Sequence, residues 1–335
     1  MLKDDLKIGI IGSGSWATAL AKILCENVSE INWYFRDIEA INYLKQHQHN
    51  KDYLSSVQFD LEKLQLDDDI NKVVANSDVL IIAIPSAFLM SALNKVEVSF
   101  KNKIIFNAVK GILPESQKLV GEYFHDVIGL DLDQIGVITG PCHAEEVALE
   151  RLSYLTVACS DLSTAETMAR RLSCDYIKCT TSEDIIGTEY AAVLKNIYAI
   201  AAGIAHGLGY GDNFQAVLMS NAIREMKRFI KKRYKMKRNI NDSAYLGDLL
   251  VTGYSNFSRN RYFGNMIGKG YTVKSAMMEM TMVAEGYYAT DSAFYLSNKD
   301  GDKKAKTPII NAVYQVLYKN KDPKHVFEKL TLKLN

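Results

Sequence analysis

Short uncharged apolar runs recur through the first half of the chain, separated by stretches with helical spacing. Lys7-Ile-Gly-Ile-Ile11 predicts a strand buried on both faces. The next segment carries Ala17, Ala19, Leu20, Ile23 and Leu24 as one apolar side and predicts a helix. Ile31-Asn-Trp-Tyr-Phe35 predicts a second strand, followed by a helix near Ile38 to Lys45. Leu64-Gln-Leu66 predicts a short third strand, with Asp68 or Asp69 capping a helix over Ile70 to Val74. Asp78 to Ile84 predicts a strongly buried strand ending at Pro85-Ser86, with Ser86 the expected cap of the next helix. Lys103 to Val109, Ile135 to Ile138 and Ser153 to Cys159 predict further strands. After about residue 182 the pattern changes. Glu183 to His206 and Asp212 to Tyr234 predict two long helices, and strand-like runs largely vanish. The expected architecture is an α/β Rossmann-like domain with a mostly parallel sheet over 1–182. An all-α domain over 183–335 follows it. The sequence shows no internal repeat.

In parallel sheets of this kind ligands sit beyond the carboxyl ends of the strands. That rule collects Gly12, Arg36, Pro85, Lys110 and Gly140 at one rim. The turn after the first strand, Gly12-Ser13-Gly14-Ser15-Trp16-Ala17, opens a helix directly. Strand, Gly-x-Gly-x-x-Ala turn and helix make a dinucleotide fingerprint. Gly12 permits the tight turn, Gly14 lets backbone approach a pyrophosphate, and Ala17 keeps helix and strand close. The helix N-terminus offers free N–H groups and a positive dipole end to the phosphates.

Composition narrows the function classes. The chain of 335 residues is 48% apolar and 24% charged, ordinary for a globular protein of about two domains. A formal net charge of +1 argues against a general nucleic-acid binder. The basic run from Lys227 to Arg238 reads as a solvated helix end. The start, Met1 to Lys7, is charged and lacks a signal-peptide core, and no stretch is long and apolar enough to span a bilayer. Cys25, Cys142, Cys159, Cys174 and Cys179 form no Cys-x-x-Cys pair, which fits free thiols in a reducing cytoplasm. The histidines show no metal spacing, and His47 and His49 read as a polar helix end or loop.

Charges in apolar company carry the candidate chemistry. Lys195-Asn196 sits within Ala191 to Ala202, with Ala191 and Ala199 as the helical neighbours of Lys195. A lysine there either snorkels from a helix edge or is buried with a partner or a job. Burial would lower its pKa toward that of a useful general acid. Lys110-Gly111 follows a strand at the ligand rim; the alternative is an ordinary loop lysine. Asp248 and Thr252 share one helix face, where Asp248 either pairs with a lysine or caps a helix. Ser258-Arg259-Asn260-Arg261 offers a two-bond phosphate grip and an amide donor, or else a solvated basic turn. Thr139-Gly140-Pro141 is most simply a structural turn.

Together these segments resemble the bacterial soluble NAD(P)-dependent glycerol-3-phosphate dehydrogenases. The resemblance rests on Gly12 to Ala21, Ala83-Ile-Pro-Ser86, Lys110-Gly-Ile112 and Gly140 to Val147. It continues through Leu194 to Ile200, Gly203 to Asn213, Gly247-Asp-Leu249, Arg259-Asn-Arg261 and Ala284-Glu-Gly286. The segments run in family order across nearly the whole chain. The resemblance implies reversible hydride transfer between NAD or NADP and the pair sn-glycerol 3-phosphate and dihydroxyacetone phosphate. It also implies supply of the glycerophospholipid backbone and a homodimer. By motif position, Lys195 matches the proton-donating lysine, with Lys110 and Asp248 as supporting charges. Asn196, Thr252, Arg259 and Asn260, with Lys110 and Gly140, match the substrate-binding set. Gly12, Ser13, Gly14, Ser15, Trp16, Arg36, Pro85, Lys110, Ala144, Arg259 and Glu285 match the cofactor-binding set. No metal is implied. Three departures stand out. Ala17 replaces the commoner glycine. Cys142-His143 stands where Ser-Phe is commoner, so an aromatic becomes an imidazole. Asn241 to Leu246 lacks the usual glycine-rich approach to Asp248.

An NAD-specific site normally carries Asp or Glu at the end of the second strand. Here Phe35-Arg36-Asp37 occupies it, and Arg36 favours a 2′-phosphate. NADPH competence without exclusivity is expected. Two rival readings are a related dehydrogenase of 3-hydroxy acids or ketopantoate-like substrates and a non-catalytic dinucleotide sensor. The Arg259-Asn260 segment with Lys110-Gly111 argues against the first, and the set Lys195, Asp248 and Lys110 against the second.

Overall fold

A computed structural model describes residues 6–280, 284–299 and 305–335. Met1 to Asp5, on which the reading of the charged start falls, lie outside the described residues. The chain divides into two compact units. The first comprises Met1–Val109 and Lys118–Ile185, the second Lys110–Gln117 and Ile186–Asn335.

The first unit alternates strand and helix: β1 (Ile8–Ile11), α1 (Ser15–Cys25), β2 (Ile31–Tyr34), α2 (Ile38–His47), β3 (Leu64–Asp67), α3 (Ile70–Ala75), β4 (Val79–Ile82) and α4 (Ser86–Leu93). It continues with β5 (Ile104–Asn107), α5 (Val120–Asp126), β6 (Ile135–Thr139), α6 (Ala144–Ala148), β7 (Ser153–Cys159), α7 (Leu162–Leu172) and β8 (Ile177–Ser182). The eight strands form one sheet in the order β3-β2-β1-β4-β5-β6-β7-β8. The order reverses between β1 and β4, which pair in parallel from Ile8 opposite Val79 to Ile11 opposite Ile82. Such a switch point opens a crevice at the strands' carboxyl ends. The four residues of β1, β2 and β4 are all buried, as strands in a covered parallel sheet should be, and Asn32 of β2 is satisfied there by Asn76 O and Ser77 Oγ.

Ser86 and the direction of β7 depart from expectation, while Asp69 proves to be the cap of α3 from the two aspartates expected there. Ser86 is the first helical residue of α4, and the N-cap position belongs to Pro85. Asp69 caps α3, accepting from Asn71 N at 2.9 Å. β7 runs antiparallel to β6, because the link between them holds only the short α6 rather than a full crossover helix. The outermost strand β8 lacks an apolar run. Only Ile177 of its six residues is buried, as suits an edge strand, and its signal is correspondingly weak.

The second unit is helical: α8 (Ile185–Gly207), α9 (Asp212–Arg233), α10 (Asp248–Tyr254), α11 (Arg259–Gly268), α12 (Val273–Glu279), α13 (Glu285–Asn298), α14 (Pro308–Lys319) and α15 (Pro323–Thr331). A π-helical turn over Ser243–Gly247 leads into α10. Helices α8 and α11 cross backbone to backbone. A Cβ on Gly203 would lie 2.0 Å from Arg261 O, and one on Gly264 would lie 2.2 Å from Ile200 O. Gly207 and Gly268 are equally tight. Only glycine admits this approach, and it fixes α11 against the C-terminal part of α8. Lys231, Lys232 and Arg233 form the last turn of α9, where cations suit the helix dipole. No helix among the described residues is long and apolar enough to cross a membrane.

Candidate active site

The fingerprint turn lies in the first unit, at the end of β1. Gly12 has φ +125°, and a Cβ there would come within 2.7 Å of Ala83 O, beyond the end of β4. Both backbone conformation and crowding therefore require glycine. Gly14 differs. It is the N-cap of α1 with an extended backbone, and nothing lies within 4 Å of where its Cβ would project. Its missing side chain leaves open space before the helix. The α1 N-terminus also carries no side-chain cap. Open space and an uncapped first turn are what a bound pyrophosphate needs, so these residues fit a dinucleotide.

Two residues that the sequence pattern does not mark hold this turn. Trp33, fully buried on β2, donates from Nε1 to Gly12 O at 2.7 Å. Asn50, also buried, donates from Nδ2 to Ser13 O at 3.0 Å and to Thr18 Oγ1 at 2.9 Å. Both are remote in sequence, so local spacing gives no sign of them. Ser15 is buried at the start of α1, and Trp16 is partly buried against the core. Arg36 is exposed just past β2. Its neighbour Asp37 caps α2, its Oδ1 accepting from Glu39 N at 3.0 Å. Pro85 precedes α4, and Ala144 opens α6 behind the N-cap His143. Gly140 has φ +121°, and a Cβ there would lie 2.8 Å from Tyr154 O. Its own turn accounts for the glycine.

The second unit gathers most of the polar residues singled out in the second half, together with Lys110. Lys195 lies on α8 with 3% exposure, and its Nζ pairs with Asp248 Oδ1 at the start of α10. Lys195 is thus a buried, partnered lysine rather than a snorkelling one, and Asp248 is its partner. Burial lowers the Lys195 pKa from 10.5 to about 8. The Asp248 carboxylate opposes that shift and the Lys110 ammonium adds to it. A lysine at this value exchanges protons near neutrality while keeping a positive charge much of the time. Asp248 Oδ2 is buried without a hydrogen-bond partner, and so is Thr252 Oγ1 one helical turn on. Asn196 Nδ2 donates to Lys110 O at 3.1 Å, tying the 110–117 segment to α8. Arg259 and Asn260 form the first turn of α11, capped by Ser258 Oγ accepting from Arg261 N at 3.3 Å. They belong to a helix, not to a solvated turn. Asn260 is buried and its Oδ1 accepts from Gly286 N at 2.9 Å; Glu285 opens α13. Among the described residues no cluster of His, Cys, Asp and Glu could hold a metal ion.

Comparison with known proteins identifies the family. The model of the NAD-dependent glycerol-3-phosphate dehydrogenase N-terminus matches residues 7–165, and that of the C-terminus matches residues 184–328. A "Glycerol-3-phosphate dehydrogenase [NAD(P)+]" of Staphylococcus epidermidis is 34% identical over 316 residues, covering 94% of each chain. The enzyme of that name from Chlorobium phaeobacteroides is 35% identical over 318 residues, again covering 94% of each. The crystal structure of glycerol-3-phosphate dehydrogenase from Coxiella burnetii superposes with a TM-score of 0.88. It shares 27% identity and covers 97% of this chain and 98% of that one. With both halves matched in order and relatives aligned over 94% of their length, the chain belongs to the NAD-dependent glycerol-3-phosphate dehydrogenase family.

Proposed function

We infer that this protein interconverts sn-glycerol 3-phosphate and dihydroxyacetone phosphate with NAD or NADP, supplying glycerol 3-phosphate for glycerophospholipid synthesis. The observation that carries the reading is the buried Lys195–Asp248 pair, set in one helical unit with Thr252, Asn196, Arg259 and Asn260. A nicotinamide cofactor, when bound, would supply the hydride that reduces the ketone at C2. The chain's own residues do the rest. Lys195 Nζ donates a proton to the oxygen forming on C2, and its charge stabilises that oxygen in advance. Asp248 Oδ1 orients the ammonium and Lys110 moderates its basicity. Arg259 and Asn260, with Asn196 and Thr252, hold the phosphate. Gripping the unreactive end places the ketone.

For the cofactor, the fingerprint turn would receive the pyrophosphate, with Ser13, Ser15, Trp16, Pro85 and Ala144 of the first unit as the residues that would hold it, and by motif position Arg259 and Glu285 of the second unit are proposed as cofactor residues too. Asp37 is engaged as a helix cap, which leaves Arg36 as the charged group past β2 suited to a 2′-phosphate. This favours NADPH without excluding NADH. The protein is further proposed to be a cytoplasmic homodimer. Its free cysteines accord with a reducing compartment, and equilibrium sedimentation gives the oligomeric state.

The test is the loss of nicotinamide absorbance with dihydroxyacetone phosphate, run in parallel with NADH and NADPH. Turnover is expected with both and faster with NADPH. Cofactor binding without turnover overturns the reading in favour of a sensor or of another dehydrogenase. Arg36→Asp is expected to lower kcat/KM for NADPH at least about tenfold more than for NADH, the scale of one lost charged contact. Equal losses would make Arg36 structural.

A further inference from the structure

We propose that Gly286 is a positioning residue for the substrate phosphate, because its backbone N–H sets which end of the Asn260 amide faces the ligand. This rests on the reading above that Asn260 holds phosphate.

The argument begins with a helix end. Gly286 is the second residue of α13, so its N–H is one of the donors that a helix leaves without an internal partner. The N-cap Ala284 has no side chain that could accept it. Asn260 of α11 does so instead, through Oδ1 at 2.9 Å, and both residues are buried. A backbone N–H can only donate. The Asn260 oxygen must therefore face Gly286, and the NH2 group is turned away as a donor. For an amide side chain, whose two ends are nearly the same shape, this contact supplies the missing polarity.

The residue type supports the same conclusion. Aspartate would cap a helix N-terminus at least as well as asparagine, with its negative charge favoured by the dipole. Asparagine instead keeps one acceptor for the cap and one pair of donors for something else. Arg259, the preceding residue on the same first turn, marks that something as an anion. Crowding explains the glycine. A Cβ at position 286 would lie 2.7 Å from Asn196 O and 2.9 Å from Asn260 Oδ1. Any side chain would push α13 off both, and Asn196 is the residue that holds Lys110 O. Gly286 thus permits the close meeting of α8, α11 and α13 at which Asn260 is oriented.

The experiment measures KM for dihydroxyacetone phosphate, KM for NADPH, kcat and Tm for the full-length wild type, Gly286→Ala and Asn260→Asp. Gly286→Ala is expected to raise KM for dihydroxyacetone phosphate roughly ten- to hundredfold, the scale of a lost hydrogen bond to a charged group. Smaller effects are expected on kcat and on KM for NADPH. An unchanged KM for dihydroxyacetone phosphate overturns the proposal. So does a loss of the same size in KM for NADPH, which is what a general disturbance of the helices would give. Should Gly286→Ala fail to fold, Asn260→Asp decides. It keeps an acceptor for Gly286 N, so Tm is expected to hold, while a carboxylate oxygen replaces the donor and KM rises about a hundredfold. A near-normal KM in Asn260→Asp overturns the proposal. A wild type that turns over dihydroxyacetone phosphate alongside variants of unchanged KM sinks only this inference; an inactive wild type sinks the reading beneath it as well.

Discussion

Lys195 carries three opposing influences, and in the proposed role of proton donor their balance would set the pH range of the reaction. Burial alone would strip its proton, Lys110 pushes the same way, and Asp248 holds the proton on. A proton donor must be protonated, so kcat for ketone reduction is expected to fall as pH rises through about 8. The reverse oxidation, which needs neutral lysine, should gain over the same interval. Asp248→Asn removes the influence that raises the pKa and should move the falling limb to lower pH. A limb that stays in place would show that another group titrates. Lys195→Ala should lower kcat by about a hundredfold or more; a near-normal rate would remove the assignment. The presence of this lysine in an apolar, small-residue stretch is legible from spacing alone. Its partner is not, because Asp248 lies far along the chain and only folding shows that the two meet.

At the scale of elements, helix ends are satisfied across the fold. Asp37, Asp69 and Asp161 cap the helices that immediately follow them, which local sequence can signal. The α14 end is different. Glu225, fully buried on α9, accepts from Ile309 N and Ile310 N, both at 2.9 Å. Tyr198 of α8 and Arg228 of its own helix are the titratable and charged groups nearby. Burial drives its carboxyl pKa from 4.5 up to about 8, against the pull of the two amides and Arg228. Between these values the native state holds a proton that the unfolded chain has lost. Stability is therefore expected to fall as pH rises from 4.5 through about 8, by at most about 1.4 kcal/mol per pH unit from this group. Denaturant unfolding of Glu225→Gln across that range should show a flatter dependence; an unchanged slope would assign it to other groups. In the sequence Glu225 is one acidic residue in a mixed helix, and nothing nearby marks it as the cap of a helix more than eighty residues away.

Over the whole molecule, the pattern of apolar runs determined the alternating first half, the helical second half and the fingerprint turn. It did so because each rests on interactions between residues close in the chain: strand and helix periodicity, a glycine turn, an adjacent cap. The family resemblance then extended this local reading to a reaction. Tertiary structure alone decided the rest. It turned β7 antiparallel and recruited β8 as an edge strand. It moved Lys110–Gln117 out of the first unit and into the second, where Asn196 holds Lys110. It brought Trp33 and Asn50 onto the fingerprint turn, and Asp248 onto Lys195. These pairings depend on burial, which removes water as the competing partner and leaves each polar group to find one wherever the packed helices and strands present it.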